Sequence, residues 1–188
     1  MAKAKFINIP LRDFFELEDS SEYFFAFEHS PNFKEAIDHL GIGNMRQKPF
    51  GIVKDLQELY SGNVSTAQLI EQLCLFSGKT EEQVLDMKIL EFMQSRNYLE
   101  QSINRISEIE SLKFGRGSTD EEKRVGIDRL GMYGIETQLD KLDHGMLWMT
   151  DEIRALPYER CFIRLAMWND VNEFNEELQR IRMKKKPD

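Results

Sequence analysis

Between Leu85 and Ile106 the apolar side chains return at alternating spacings of four and three: Leu85, Ile89 and Phe92, then Leu99, Ile103 and Ile106. An α-helix turns once in about 3.6 residues, so this rhythm predicts one apolar stripe along a single helix face. Arg96 interrupts the seam at one register position, and Glu91, Gln94, Asn97, Glu100 and Gln101 fall on the other sides. A helix of this kind is built to pack against helices. Leu85, Ile89, Phe92, Leu99, Ile103 and Ile106 are therefore the candidate partner-binding residues.

The same periodicity, punctuated by stops and caps, extends in both directions. Ile52 to Tyr60 reads as a short helix ended by Gly62. Ser65 or Thr66 then caps a segment from Ala67 to Phe76, which Gly78 stops. Thr80 followed by Gln83 is a capping box, in which hydroxyl and amide side chains satisfy each other's free backbone N–H groups. The pattern leaves open whether a kink near Asp86 divides this segment from the long seam.

Beyond Gly115-Arg116-Gly117-Ser118-Thr119, the clearest linker, Thr119 and Glu122 repeat the capping pattern. A weaker helix follows from Glu121 to Leu142, with Ile127, Leu130, Ile135, Leu139 and Leu142 on its apolar face. Gly126, Gly131 and Gly134 each cost such a helix about 1 kcal/mol relative to alanine. They mark either a close approach of backbones or a helix in two pieces. A last helix is predicted from near Pro157, carrying Tyr158, Cys161, Phe162, Leu165, Trp168, Val171, Phe174, Leu178 and Ile181 on one stripe.

The first 50 residues are patterned differently. Phe14, Phe15, Tyr23, Phe24, Phe25, Phe27 and Phe33 crowd between Pro10, Pro31 and Pro49. Phe6 to Ile9 and Glu22 to Phe27 suit short strands, and Asn32 to Leu40 a helix stopped by Gly41 and Gly43. The expected fold is mainly α, a helical bundle with a small aromatic-rich N-terminal section that has the pattern of a short β-hairpin. Three sections follow from the punctuation: residues 1–50, a helical core over 51–114, and a C-terminal helical section over 118–188 with a basic tail. The aromatics form a small core of their own or an exposed assembly contact.

Composition narrows the classes. The 188 residues are 41% hydrophobic and 31% charged, values of a globular chain long enough for a core without disulfide staples. A formal net charge of -8 disfavours a broad nucleic-acid footprint, so phosphate contact would rest on Arg180 to Lys186 alone. Those cations also offset a helix dipole, which is the simpler role. Cys74 and Cys161 lie in apolar helical patterns without a second cysteine at ligand or redox spacing, and so read as buried thiols in a reducing compartment. The start has no secretion-signal pattern and no apolar run is long enough to span a bilayer, so a cytoplasmic location is expected.

Sequence signatures of catalysis are weak. Ser77-Gly78-Lys79-Thr80 contains the Gly-Lys-Thr end of a phosphate-binding loop, but Leu73 stands where the first glycine belongs and a helix precedes it. Gly41-Ile42-Gly43 begins a dinucleotide fingerprint that Arg46 breaks. There is no Gly-x-Ser-x-Gly and no His-Glu-x-x-His. His29 with Glu28, and His39 with Glu35 and Asp38, gather metal-ligand types without the Glu-x-x-His spacing of a dimetal bundle. His144 reads as a cation at a helix end. No catalytic residue, metal site or cofactor is expected.

The stretch from Ser65 to about Ile109, a polar-capped helix, the Ser77-Gly78-Lys79-Thr80-Glu81-Glu82 break, Val84-Leu85 and a long amphipathic helix, resembles the helical core of tailed-phage tail assembly chaperones. Arg129 to Gly134 and Leu156-Pro157-Tyr158 are similar to stretches of small helical proteins from phage tail gene regions. The resemblance covers about a quarter of the chain and carries over no binding residue. It implies a non-enzymatic morphogenesis factor of the host cytoplasm that holds tail-tube or tape-measure subunits until assembly, itself open to homo-oligomer formation. A permanent structural subunit of a virion or other assembly is the alternative, and a nucleic-acid accessory protein using the basic tail is the third reading.

Overall fold

The structure is a computed structural model, and it describes residues 9–17, 44–60, 65–115, 117, 120–125 and 127–184. Helix makes up 81% of the described residues, which contain no strand, only isolated bridges at Pro10–Lys88 and Pro49–Pro157. The protein is a mainly-α helical bundle. The predicted strands, apart from Ile9, and the predicted helix over Asn32 to Leu40 lie outside the described residues, as do all the crowded aromatics except Phe14 and Phe15.

The chain forms two compact units, divided differently from the punctuation of its sequence. The first takes its described residues from Met1–Met45 and Ile52–Ser107, the second from Arg46–Gly51 and Glu108–Asp188. Pairing between distant backbone segments explains the division. In the first unit the Leu11 N–H donates to the Met87 carbonyl at 2.8 Å and the Ile89 N–H to the Ile9 carbonyl at 3.1 Å. In the second, Phe50 donates to the Leu156 carbonyl at 2.7 Å and Tyr158 to that of Lys48 at 2.8 Å.

In the first unit, helices α1 (Leu11–Phe15), α2 (Phe50–Leu59, from Ile52 onward), α3 (Thr66–Ser77), α4 (Glu81–Leu85) and α5 (Ile89–Phe114, to Ser107) bury Leu11, Phe14, Phe76, Val84, Phe92 and Leu99. Both predicted capping boxes are present. Ser65 Oγ accepts from Gln68 N–H at 3.3 Å while Gln68 Oε1 accepts from Ser65 N–H at 2.8 Å, and Thr80 with Gln83 repeats the exchange at 3.3 and 3.0 Å. Gly78 ends α3 in the left-handed region at φ 73°, a conformation that costs a side-chain-bearing residue steric strain.

The break that the pattern left open near Asp86 is present, and it sets Leu85 on a different helix from the rest of the seam. Asp86, Met87 and Lys88 divide it into α4 and α5. The Met87 N–H turns back to the Val84 carbonyl, and the next backbone groups bond to Ile9 and Leu11 in place of a continuing helix ladder. Of the polar residues on the other sides of α5, Gln94 is buried and Glu91, Asn97 and Glu100 are half-buried.

The second unit contains α6 (Asp120–Arg124), α7 (Glu136–Asp143), α8 (Thr150–Ala155) and α9 (Tyr158–Lys184), with 3-10 turns at Ile127–Tyr133 and Leu147–Met149. The helix expected from Glu121 to Leu142 is therefore in pieces. Gly134, at φ 48°, breaks it before α7 in a conformation that glycine adopts without penalty. Asp143 is buried at the end of α7, where Oδ1 accepts from Gly145 N–H at 2.8 Å and Oδ2 from the Thr150 hydroxyl at 3.4 Å. His144 caps this helix end, as its sequence position suggested, in the left-handed conformation.

Candidate functional site

The seam of α5 lies inside the chain. Ile89, Phe92, Leu99, Ile103 and Ile106 are all buried, and Leu85, on α4, is half-buried. The structure thus brings five of the six predicted contact residues onto one helix as core. Their partners within the first unit include α3, whose Phe76 lies 6.1 Å from the Tyr98 ring of α5. Tyr60 approaches the same helix, donating its hydroxyl to Glu100 and accepting from Asn104. Burial first, and the Glu100 carboxylate second, push the Tyr60 phenol up from 10.0 to about 12.

The stretch Ser77 to Thr80 is a helix stop followed by a helix cap. Ser77 Oγ donates to the Leu73 carbonyl at 2.5 Å and accepts from Lys79 N–H at 3.2 Å, while the Gly78 N–H bonds to the Cys74 carbonyl. These groups are occupied locally and form no phosphate cradle. Cys161 is buried and Cys74 half-buried, both as free thiols. Burial pushes both thiols up, the reverse of what a reactive thiolate requires.

His29 and His39, with Glu28, Glu35 and Asp38, lie outside the described residues. Among the described residues no group of three or more His, Cys, Asp or Glu side chains could hold a metal ion, and no helix is long and apolar enough to cross a membrane.

The second unit carries a cleft of about 230 Å³ lined by Phe114 of α5, Thr137, Gln138 and Lys141 of α7, and Leu165, Trp168, Asn169 and Asn172 of α9. Trp168 also meets the His144 ring at 5.4 Å. Asn169 Nδ2 donates to the Lys113 carbonyl at 3.3 Å and to Glu173 at 2.9 Å. The lining offers amides, a hydroxyl and one ammonium group, a set suited to hydrogen bonding.

Exposed apolar side chains are the larger feature of this unit. Met132 is 78% exposed and Trp148 77%, with Tyr133 and Met146 also open to solvent on the turns flanking α7 and Val125 just after α6. Sequence reasoning missed them because Leu130, Ile135 and Leu139 drew the apolar pattern into one helix that does not form. The signal was present in Gly134, which stands where that helix breaks before α7.

The single stripe expected on α9 is also corrected. Its Tyr158, Cys161 and Leu165 are buried, and Phe162 and Trp168 half-buried. Val171, Phe174 and Ile181 are exposed. At about 100° per residue, Leu165 and Phe174 stand on opposite sides of the helix, so the apolar residues form two faces. Comparison with protein-family models, curated proteins and solved structures finds no match to the chain.

Proposed function

We propose that the protein is a non-enzymatic interaction and assembly factor, a phage tail morphogenesis chaperone that binds tail-tube or tape-measure subunits. The observation that carries the reading is the exposure of Met132 and Tyr133 on the turn before α7 and of Met146 and Trp148 after it, with Val125 exposed after α6. Large apolar side chains left in water mark a partner surface, and flexible methionines beside aromatics adapt to a client that has not yet reached its assembled shape. The resemblance of Ser65 to Ile109 to tail assembly chaperones supplies the client class.

The same surface suits a permanent structural subunit, which would remain in the finished particle. Arg180 and Arg182 are exposed on the last turns of α9, and Arg180 lies 3.9 Å from Glu176. Cations at this helix end complement its dipole, which is a structural use of the tail that needs no nucleic acid.

Co-expression with candidate tail-tube and tape-measure subunits tests the proposal. Sedimentation is expected to show the client held in solution by the protein and released by the Met132→Ser, Trp148→Ser variant. A client equally soluble with either form overturns the chaperone reading. Detection of the protein at stoichiometric level in purified particles selects the permanent subunit instead.

A further inference from the structure

The outer face of α9 follows a regular pattern. Met167, Val171, Phe174, Leu178 and Ile181 succeed one another at spacings of four, three, four and three, within about 40° of the centre of one helix face. Phe174 is 63% exposed, Val171 50%, Ile181 46% and Met167 45%. From Asp170 to Met183 every residue is exposed except half-buried Leu178. The last tie of this helix to α5 is the Lys113–Asp170 ion pair at 2.5 Å, which leaves some four turns standing in water. A free helical segment of about 14 residues is marginal on its own, so an apolar stripe along it calls for a covering helix.

The flanking charges indicate which helix. With Val171 and Leu178 at the first core position of each heptad, and Phe174 and Ile181 at the fourth, Asp170 and Glu177 flank one side of the seam and Asn175 and Arg182 the other. In a parallel pair of identical helices, Glu177 of one copy faces Arg182 of the other, and symmetry makes the contact twice. An antiparallel pair sets Asp170 against Glu177, a repulsion of like charges.

We infer that residues 167–182 of α9 form a parallel, in-register two-stranded coiled coil with a second copy of this chain. This surface is separate from Met132 and Trp148 and the inference does not rest on client binding, so a monomeric chain that still holds its client would sink one reading and spare the other.

Sedimentation equilibrium of the full chain across a concentration series tests it. The expected species is a dimer. Val171→Glu with Leu178→Glu is expected to give a monomer, and circular dichroism reports whether the rest of the helix content survives. Should that variant lose its fold, the charge pair decides: Glu177→Lys weakens the dimer several-fold, and Glu177→Lys with Arg182→Glu restores it. A cysteine in place of Leu178 is expected to cross-link two copies under oxidation. A chain monomeric at every concentration, a dimer indifferent to Val171→Glu, or a charge swap that fails to restore association overturns the inference.

Discussion

The Tyr158 hydroxyl donates to Glu110 Oε1 at 2.6 Å, so the first residue of α9 is joined to α5 by a charge-assisted bond inside the second unit. The Tyr158 ring also stacks on Phe50 at 6.1 Å and on Phe162 at 5.9 Å. Burial, and then the adjacent carboxylate, drive this phenol far above its ordinary value, which keeps the donor proton in place.

Removing only that proton donor, in Tyr158→Phe, retains the ring contacts and strands part of the Glu110 carboxylate. The expected cost is about 1–2 kcal/mol, read as a lower midpoint in urea with an unchanged slope. Glu110→Gln keeps an acceptor and is expected to lose less. Additive losses in the double variant would dissolve the link between the two residues.

Gln72 is fully buried on α3, and neither Nε2 nor Oε1 finds a hydrogen-bond partner among the described residues. An unpartnered amide in the core carries a desolvation cost, so Gln72→Met, which conserves volume, is expected to stabilise the protein by about 1 kcal/mol. Thermal melting is expected to rise by roughly 2–4 °C. A lower melting temperature would mean that the amide is paired after all.

Tyr60 sets an alkaline limit. Its folded-state value, about 12, stands above its ordinary 10.0, so the fold holds the proton more tightly than the unfolded chain does. The resulting stabilisation is fully present below pH 10 and is lost as pH rises through about 12. Urea unfolding at about pH 9 and about pH 11.5 is expected to show this loss, and Tyr60→Phe is expected to reduce it. An unchanged pH dependence in that variant would remove Tyr60 from the account. Buried Tyr158 contributes in the same direction and remains in the variant.

Local chemistry was legible in the sequence where it decides structure locally. Ser65 with Gln68, Thr80 with Gln83 and the stop at Gly78 need only neighbours along the chain, and each forms as its spacing dictates. The break at Asp86 to Lys88 depends on Ile9 and Leu11, far away in sequence, and no periodicity contains that information. The seam of α5 was legible as apolar, yet burial by the chain itself and burial by a partner leave the same pattern. On α9 the two faces overlap in a list of apolar positions, and only their exposure separates Leu165 from Phe174.

The pairing of Ile9 and Leu11 with Met87 and Ile89 bears on the entropy of closing the first unit. Helices α3, α4 and α5 follow one another along the chain, whereas Ile9 and Leu11 meet partners far along it. Closing the distant pair requires the loop entropy of nearly the whole unit to be overcome at once. Two backbone hydrogen bonds here close a long loop, a larger entropic cost than the neighbouring contacts of α3, α4 and α5 carry. Without Ile9 and Leu11, the amide of Ile89 and the carbonyl of Met87 would be left to water at the junction of α4 and α5.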